Sequence, residues 1–132
     1  MNLQPIWAAS TAVQIHLAFA LVSFALGIFM FARRKGTLSH KAYGRIWMVL
    51  ILVTAISSFW ITGLAGIGHF SVIHILSVIT ILAAFGAVLA IRRGHVRTHR
   101  NAVIALFIGS MIGAGAGAFV PGRLLSQVFG YA

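Results

Sequence analysis

The chain has 132 residues, 61% of them hydrophobic, and a mean hydropathy of +1.04; a domain this small leaves much of its surface exposed, so a composition this apolar implies that lipid is its solvent. Ten lysines and arginines meet no aspartate or glutamate, a formal charge of +10 that on charge alone would suggest nucleic acid, which the apolar content excludes. Cysteine is absent, so no disulfide framework and no thiolate metal site can be drawn.

In chain order, the opening MNLQPIWAAS lacks the basic n-region of a signal peptide and reads as the mature start. Four apolar runs follow, each near the twenty residues that cross a bilayer core: roughly 11 to 32, 46 to 67, 72 to 91 and 102 to 120. The loop RRKGTLSHKAYGR joins the first pair, a short turn around Gly68, His69 and Phe70 the middle pair, and RRGHVRTHR the last pair. Trp7 and Trp47 read as aromatic anchors near span ends. Pro121 and Gly122 end the fourth run, and Arg123 opens a tail, residues 123 to 132, expected in the outer interface. The expected fold is therefore all-α: an integral membrane four-helix bundle, one transmembrane domain over residues 1–132.

The two polar loops share one side of the membrane. They hold Arg33, Arg34, Lys35, Lys41 and Arg45, then Arg92, Arg93, Arg97 and Arg100, leaving Arg123 as the one basic side chain on the other side. By the positive-inside rule these loops face the cytoplasm of a bacterial inner membrane, and both termini and the His69 turn face outward. Anionic lipid headgroups supply counter-ions, at about 1 kcal/mol per contact. The lack of acidic residues is either chance in a short chain or the mark of an acidic partner subunit or bound anion.

Laid on itself at an offset of 59, the sequence pairs Gly27 with Gly86, Arg33 with Arg92, Arg34 with Arg93, Ser39 with Thr98, His40 with His99, Lys41 with Arg100 and Gly63 with Gly122. At an offset of 58, Ile15-His16 pairs with Ile73-His74. This reads as a duplication of a two-span hairpin, repeat one about 11–67 and repeat two about 72–122, related by a pseudo-two-fold axis along the membrane normal. Equivalent histidines then face each other, His16 with His74 on the outer side and His40 with His99 on the inner side. Ser39 and Thr98 read as N-caps of the second and fourth spans. Basic residues follow each cap, against the preference of a helix start for negative charge, so either lipid phosphate bathes the loops or a specific headgroup, phosphate or propionate sits there. The candidate anion ligands are Arg33, Arg34, His40, Lys41, Arg45, Arg92, Arg93, Arg97, His99 and Arg100.

His16 lies inside the first span, and Ala20, Ser23 and Gly27 share its face; His74 begins a similar line through Ser77, Ile81 and Ala84, with Gly86 one turn from its far end. Polar stripes of this kind point inward, away from lipid. One reading is interhelical hydrogen bonding. A second makes His16 and His74 the axial ligands of a haem b, with glycine giving the porphyrin room and Arg123 or the loop arginines holding propionates, or the lining of a quinone site. A third is a copper or zinc site of His16, His69 and His74, and a fourth a proton relay. The fourth span carries Gly109, Gly113 and Gly117, a doubled G-x-x-x-G, and the second carries Ser58, Thr62 and Gly66 at the same spacing; both suit close helix packing, within the bundle or between copies. No carboxylate is available as a general acid or base and no phosphate-binding loop is present, which sets aside hydrolytic and phosphoryl-transfer enzymes.

The run GHFSVIHILSVITILAAFGAVLAIRRGHVRTHRNA with FVPGRLL, and the first loop RRKGTLSHKAYGRIWM, resemble the bacterial four-span predicted inner-membrane proteins classed as domain of unknown function 2306. The resemblance covers most of residues 12 to 130. The matching positions are His40, Gly44, Arg45, Ser58, His74, Arg93, Gly94, His99, Pro121, Gly122 and Arg123. It implies a four-helix inner-membrane protein and no particular activity. The leading functional expectation is a non-catalytic accessory or stabilising subunit of a larger membrane complex, or a homo-oligomer, with inner loops on anionic lipid. The alternatives are a haem b or quinone electron-transfer protein using His16 and His74, and a small proton-coupled transporter.

Overall fold

A computed structural model describes residues 1–61 and 72–130. Among these residues the chain is helical throughout, with no strand. After a short helix α1 (Gln4–Ala8) come α2 (Thr11–Ala32), α3 (Leu38–Ser57) with a 3-10 turn Ser58–Trp60, α4 (Val72–Arg92) and α5 (Val96–Leu106). The fourth span then continues through a π-helical segment Phe107–Gly113 into α6 (Ala114–Gly117), and α7 (Leu124–Phe129) ends the described chain. Four helices are long and apolar enough to cross a membrane: Thr11–Ala32, Leu38–Trp60, Val72–Arg92 and Val96–Gly117. The expected turn at Gly68, His69 and Phe70, with Gly63, Thr62 and Gly66, lies outside the described residues.

The first and third spans keep the expected limits. The second and fourth begin earlier, at Leu38 and Val96, because Lys41, Arg45, Arg97 and Arg100 belong to their first turns. Apolar runs miss such turns, since a long basic side chain can ride a helix end with its charge at the interface. The fourth span also stops at Gly117, before Pro121. The expected caps are corrected with these starts. Thr37, not Ser39, caps α3: its Oγ1 accepts from the His40 N–H at 3.1 Å. Thr98 lies inside α5, whose N-cap His95 makes no side-chain capping bond. Thr37→Ala is accordingly expected to cost about 1 kcal/mol and Thr98→Ala close to nothing, measured as thermal unfolding in detergent; equal effects would contradict the assigned cap.

At the other end of that loop, Lys35 Nζ donates to the carbonyls of Met30, Phe31 and Arg33 at 3.0, 2.7 and 2.8 Å, satisfying the C-terminus of α2 with a charge of the sign its dipole favours. Gly94, at φ +79°, does the turning after α4 and lets the His95 N–H reach the Ala90 carbonyl at 2.9 Å.

Helix α2 packs on α3, α3 on α4 and α4 on α5, and the π segment packs back against α2 and α4. Neighbours in sequence are thus neighbours in space, and the first and third spans lie diagonally. The core is Trp47, Ile51, Ala84, Ala87, Leu106, Phe107 and Met111. Trp47 is a correction: it is 4% exposed and no interface anchor, because α3 starts two turns before the apolar run and carries it into the bundle. Its indole Nε1–H donates to the Ser23 carbonyl at 2.9 Å. Trp7, 72% exposed on α1, keeps a position suited to an anchor. Most large apolar side chains, Leu21, Leu82 and Phe85 among them, point out of the bundle, as helices solvated by lipid require. The termini meet: α1 packs on α7, and the Asn2 N–H donates to the Val128 carbonyl at 2.9 Å.

Candidate functional site

Polar side chains collect at two levels of the bundle, one at each end, called outer and inner after the orientation expected from the basic loops. The outer level is built on the last turns of α3. From α2, His16 Nδ1–H donates to the Thr54 carbonyl at 2.8 Å, and Ser57 Oγ, 3.3 Å from the same nitrogen, donates to that carbonyl at 2.9 Å. A carbonyl only accepts, so the proton of the neutral His16 ring sits on Nδ1 and the lone pair on Nε2. From α4, His74 Nε2–H donates to the Phe59 carbonyl at 3.3 Å, and its ring lies 5.6 Å from that of Phe59. Between these histidines Ser58 and Ser77, both buried, bridge α3 to α4 through their hydroxyls. Ser58 Oγ also reaches the Ala55 carbonyl at 2.6 Å and Ser77 Oγ the Ile73 carbonyl at 2.7 Å. Two protons serve these three bonds, so one serine donates to the other while the second donates to its own helix.

The two outer histidines therefore hold onto α3 from α2 and from α4, each at a different carbonyl. The diagonal order of the first and third spans places α3 beside both. The glycines on their helices do not serve as clearance for a porphyrin. A Cβ at Gly27 would stand 2.5 Å from Phe107 Cε2, so the Phe107 ring already fills that space. Gly86 is exposed, with no heavy atom within 4 Å of its Cβ position. Of the second polar line, His74, Ser77 and Ala84 are buried as expected, and Thr80 takes the inward place given to Ile81. Among the described residues no three histidines or carboxylates approach one another closely enough to hold a metal ion; His69, the third metal candidate, lies outside them. Arg123 is half-buried where the tail begins, and its carbonyl accepts from Ser126 Oγ at 2.7 Å.

At the inner level all nine loop cations are exposed. His40, in the first turn of α3, and His99, in the first turn of α5, lie at this same end of the bundle. They are not equivalent. His99 Nδ1–H donates to the Ala87 carbonyl at 2.9 Å, whereas His40 Nδ1 is sealed from solvent with no hydrogen-bond partner among the described residues. Arg33 is held at two points: its guanidinium carbon lies 5.3 Å from the Phe29 ring centre and Nη2 donates to Ser39 Oγ at 3.3 Å.

Sequence reasoning missed Thr54, Ser57 and Gln14. Thr54 and Ser57 sit three apart in the middle of the second apolar run, a spacing that puts both on one helix face. The Gln14 amide donates to the carbonyls of Ile6, Trp7 and Ala9 at 3.1, 3.2 and 3.1 Å, tying α1 to α2. Among the described residues the doubled G-x-x-x-G is not used inside the bundle: Gly109, Gly113 and Gly117 are all exposed. Nothing lies within 4 Å of a Cβ at Gly109 or Gly117, and only the Ile108 carbonyl, at 3.6 Å, at Gly113.

No curated protein and no solved structure matches the chain. The family model described as predicted membrane protein (DUF2306) matches residues 13–128. That match covers most of the chain, which has four helices able to span a bilayer, and the chain belongs to the DUF2306 family of predicted membrane proteins.

Proposed function

We propose that this protein is a non-catalytic accessory or stabilising subunit of a larger bacterial inner-membrane complex, seated on anionic lipid by its two inner loops. The observation that carries the reading is the outward position of Gly109, Gly113 and Gly117 on the fourth span. Lipid tails are as apolar as leucine, so helices in a bilayer associate where small residues let backbones approach closely, and an unoccupied ridge of this kind suits a partner helix. The polar groups of the interior support the same reading, since His16, Ser58, Ser77 and His74 are engaged in bonds that hold α2, α3 and α4 together. The exposed arginines and lysines, with no carboxylate in the chain, suit phosphate headgroups of the inner leaflet.

Mild detergent extraction of tagged protein from its native membrane is expected to bring a second membrane protein with it, and Gly113→Leu, which fills the ridge without touching the core, to release that partner. A wild-type protein that emerges strictly monomeric and alone would sink the accessory role.

One observation favours a second reading. The Nδ1–H bond from His16 to the Thr54 carbonyl fixes its tautomer and leaves Nε2 as the ligating nitrogen, the arrangement that metal-bound histidines use. A haem b bound by His16 and by His74 Nε2 would require the His74 bond to the Phe59 carbonyl to break. Sharp haem bands in dithionite-reduced protein, lost in His16→Ala, would put this reading first; a colourless preparation would remove it.

A further inference from the structure

Resting on the lipid-facing reading of the inner loops, we propose that the first of them contains a built site for one phosphate group, and that the second, its sequence counterpart, supplies charge without such a site. The chain carries ten basic side chains and no carboxylate side chain, so no guanidinium can find its counter-charge on another side chain of this protein.

Where α2 gives way to α3 a recess of about 310 Å³ is lined by Ala32, Arg33, Arg34, Thr37 and Ser39. Arg33 is posed at this recess by its contact with the Phe29 ring, 5.3 Å to the ring centre, and by its bond to Ser39 Oγ at 3.3 Å. Ser39 Oγ lies 3.0 Å from Thr37 Oγ1, so two hydroxyls stand beside the guanidinium. Lys35 is turned away, with Nζ on three carbonyls of the α2 terminus. Planar guanidinium donors and nearby hydroxyls match the oxygens of a phosphate, and a guanidinium already held in place loses little freedom on binding it.

The second loop keeps the arginines, Arg92 and Arg93 for Arg33 and Arg34. It replaces Lys35 with Gly94 and Thr37 with Val96, so the lysine that secures the α2 end and the hydroxyl that caps α3 have no counterparts there. Val96 and Thr98 are exposed. Generic attraction to an anionic surface should not distinguish the two loops; a built site should.

The test uses the full-length protein in nanodiscs of phosphatidylcholine doped with phosphatidylglycerol, the retained lipid counted by native mass spectrometry after detergent release. One phosphatidylglycerol is expected to stay with each wild-type chain. Arg33→Ala is expected to lower its retention about tenfold, the loss of one hydrogen-bonded charge contact, and Arg92→Ala less than twofold. Arg33→Lys and Ser39→Ala keep the charge and remove the fork or the hydroxyl, and each is expected to show an intermediate loss, which keeps the site testable if Arg33→Ala misfolds. Added inorganic phosphate that displaces the lipid would mean that the site reads the phosphate itself, and failure to displace it that the glycerol-linked headgroup is required; either supports the site. Equal losses in Arg33→Ala and Arg92→Ala would overturn the built site while leaving the lipid reading intact. A wild-type chain that retains neither phosphatidylglycerol nor phosphatidylcholine would overturn both.

Discussion

Gly27→Ala is expected to destabilise the protein by about 1 to 3 kcal/mol, the usual cost of overfilling a packed core, while Gly86→Ala, its counterpart 59 residues on, is expected to gain up to about 1 kcal/mol from helix propensity alone. A methyl group on Gly27 would meet Phe107 Cε2 at 2.5 Å and Cδ2 at 2.7 Å, and Trp47 Nε1 at 3.1 Å. Phe107 cannot easily retreat, because its ring stacks on Phe24 at 5.7 Å and meets Phe31 edge-on at 5.0 Å. Trp47 is held by its bond to the Ser23 carbonyl. At Gly86 a methyl group would enter open space beside lipid. Unfolding of both variants in mild detergent measures the difference, and equal effects would contradict the packing of the fourth span against α2. Phe107→Ala in the Gly27→Ala background supplies the second side of a double-mutant cycle. Removing the ring should cancel most of the Gly27→Ala penalty, since the residues are in direct contact.

Reporter fusions at the C-terminus of the chain, expressed in a bacterium, are expected to place it on the outer side of the inner membrane. Replacing Arg33, Arg34, Lys35, Arg92 and Arg93 with glutamine, and adding lysines beside Arg123, is expected to give a mixed or inverted population. The expected orientation rests on charge. Nine of the ten basic side chains lie on the two basic loops and the first turns that follow them, with Arg123 at the other end, and each Lys or Arg near an anionic surface contributes about 1 kcal/mol. With no acidic residue to offset them, nothing in the chain opposes this bias. A C-terminus that stays outside in the altered protein would show that something other than loop charge fixes the topology.

The hairpins and their order could be read from hydropathy because a bilayer admits few solutions: an apolar run of twenty residues must be helical, and short connections make consecutive helices neighbours. The same constraint gave the first and third span limits, and inward polar stripes pointed correctly to His16, Ser23 and Gly27 and to His74, Ser77 and Ala84. Helix starts were misjudged where a basic first turn precedes the apolar run, which hid the capping role of Thr37 and moved Trp47 from the interface into the core.

Sequence by itself determined the membrane environment, the four spans and the two basic loops, all of which follow from composition, period and charge. Tertiary structure alone decided how equivalent residues are used: Gly27 against Phe107 while Gly86 faces outward, His99 bonded to Ala87 while His40 Nδ1 has no partner among the described residues, and the fourth-span glycines turned out of the bundle. A repeat in sequence fixes chemical type at paired positions. The rotation of each helix about its axis is instead set by which side chains fill the shared interior, and in this bundle Trp47 and Phe107 fill it from α3 and the π segment.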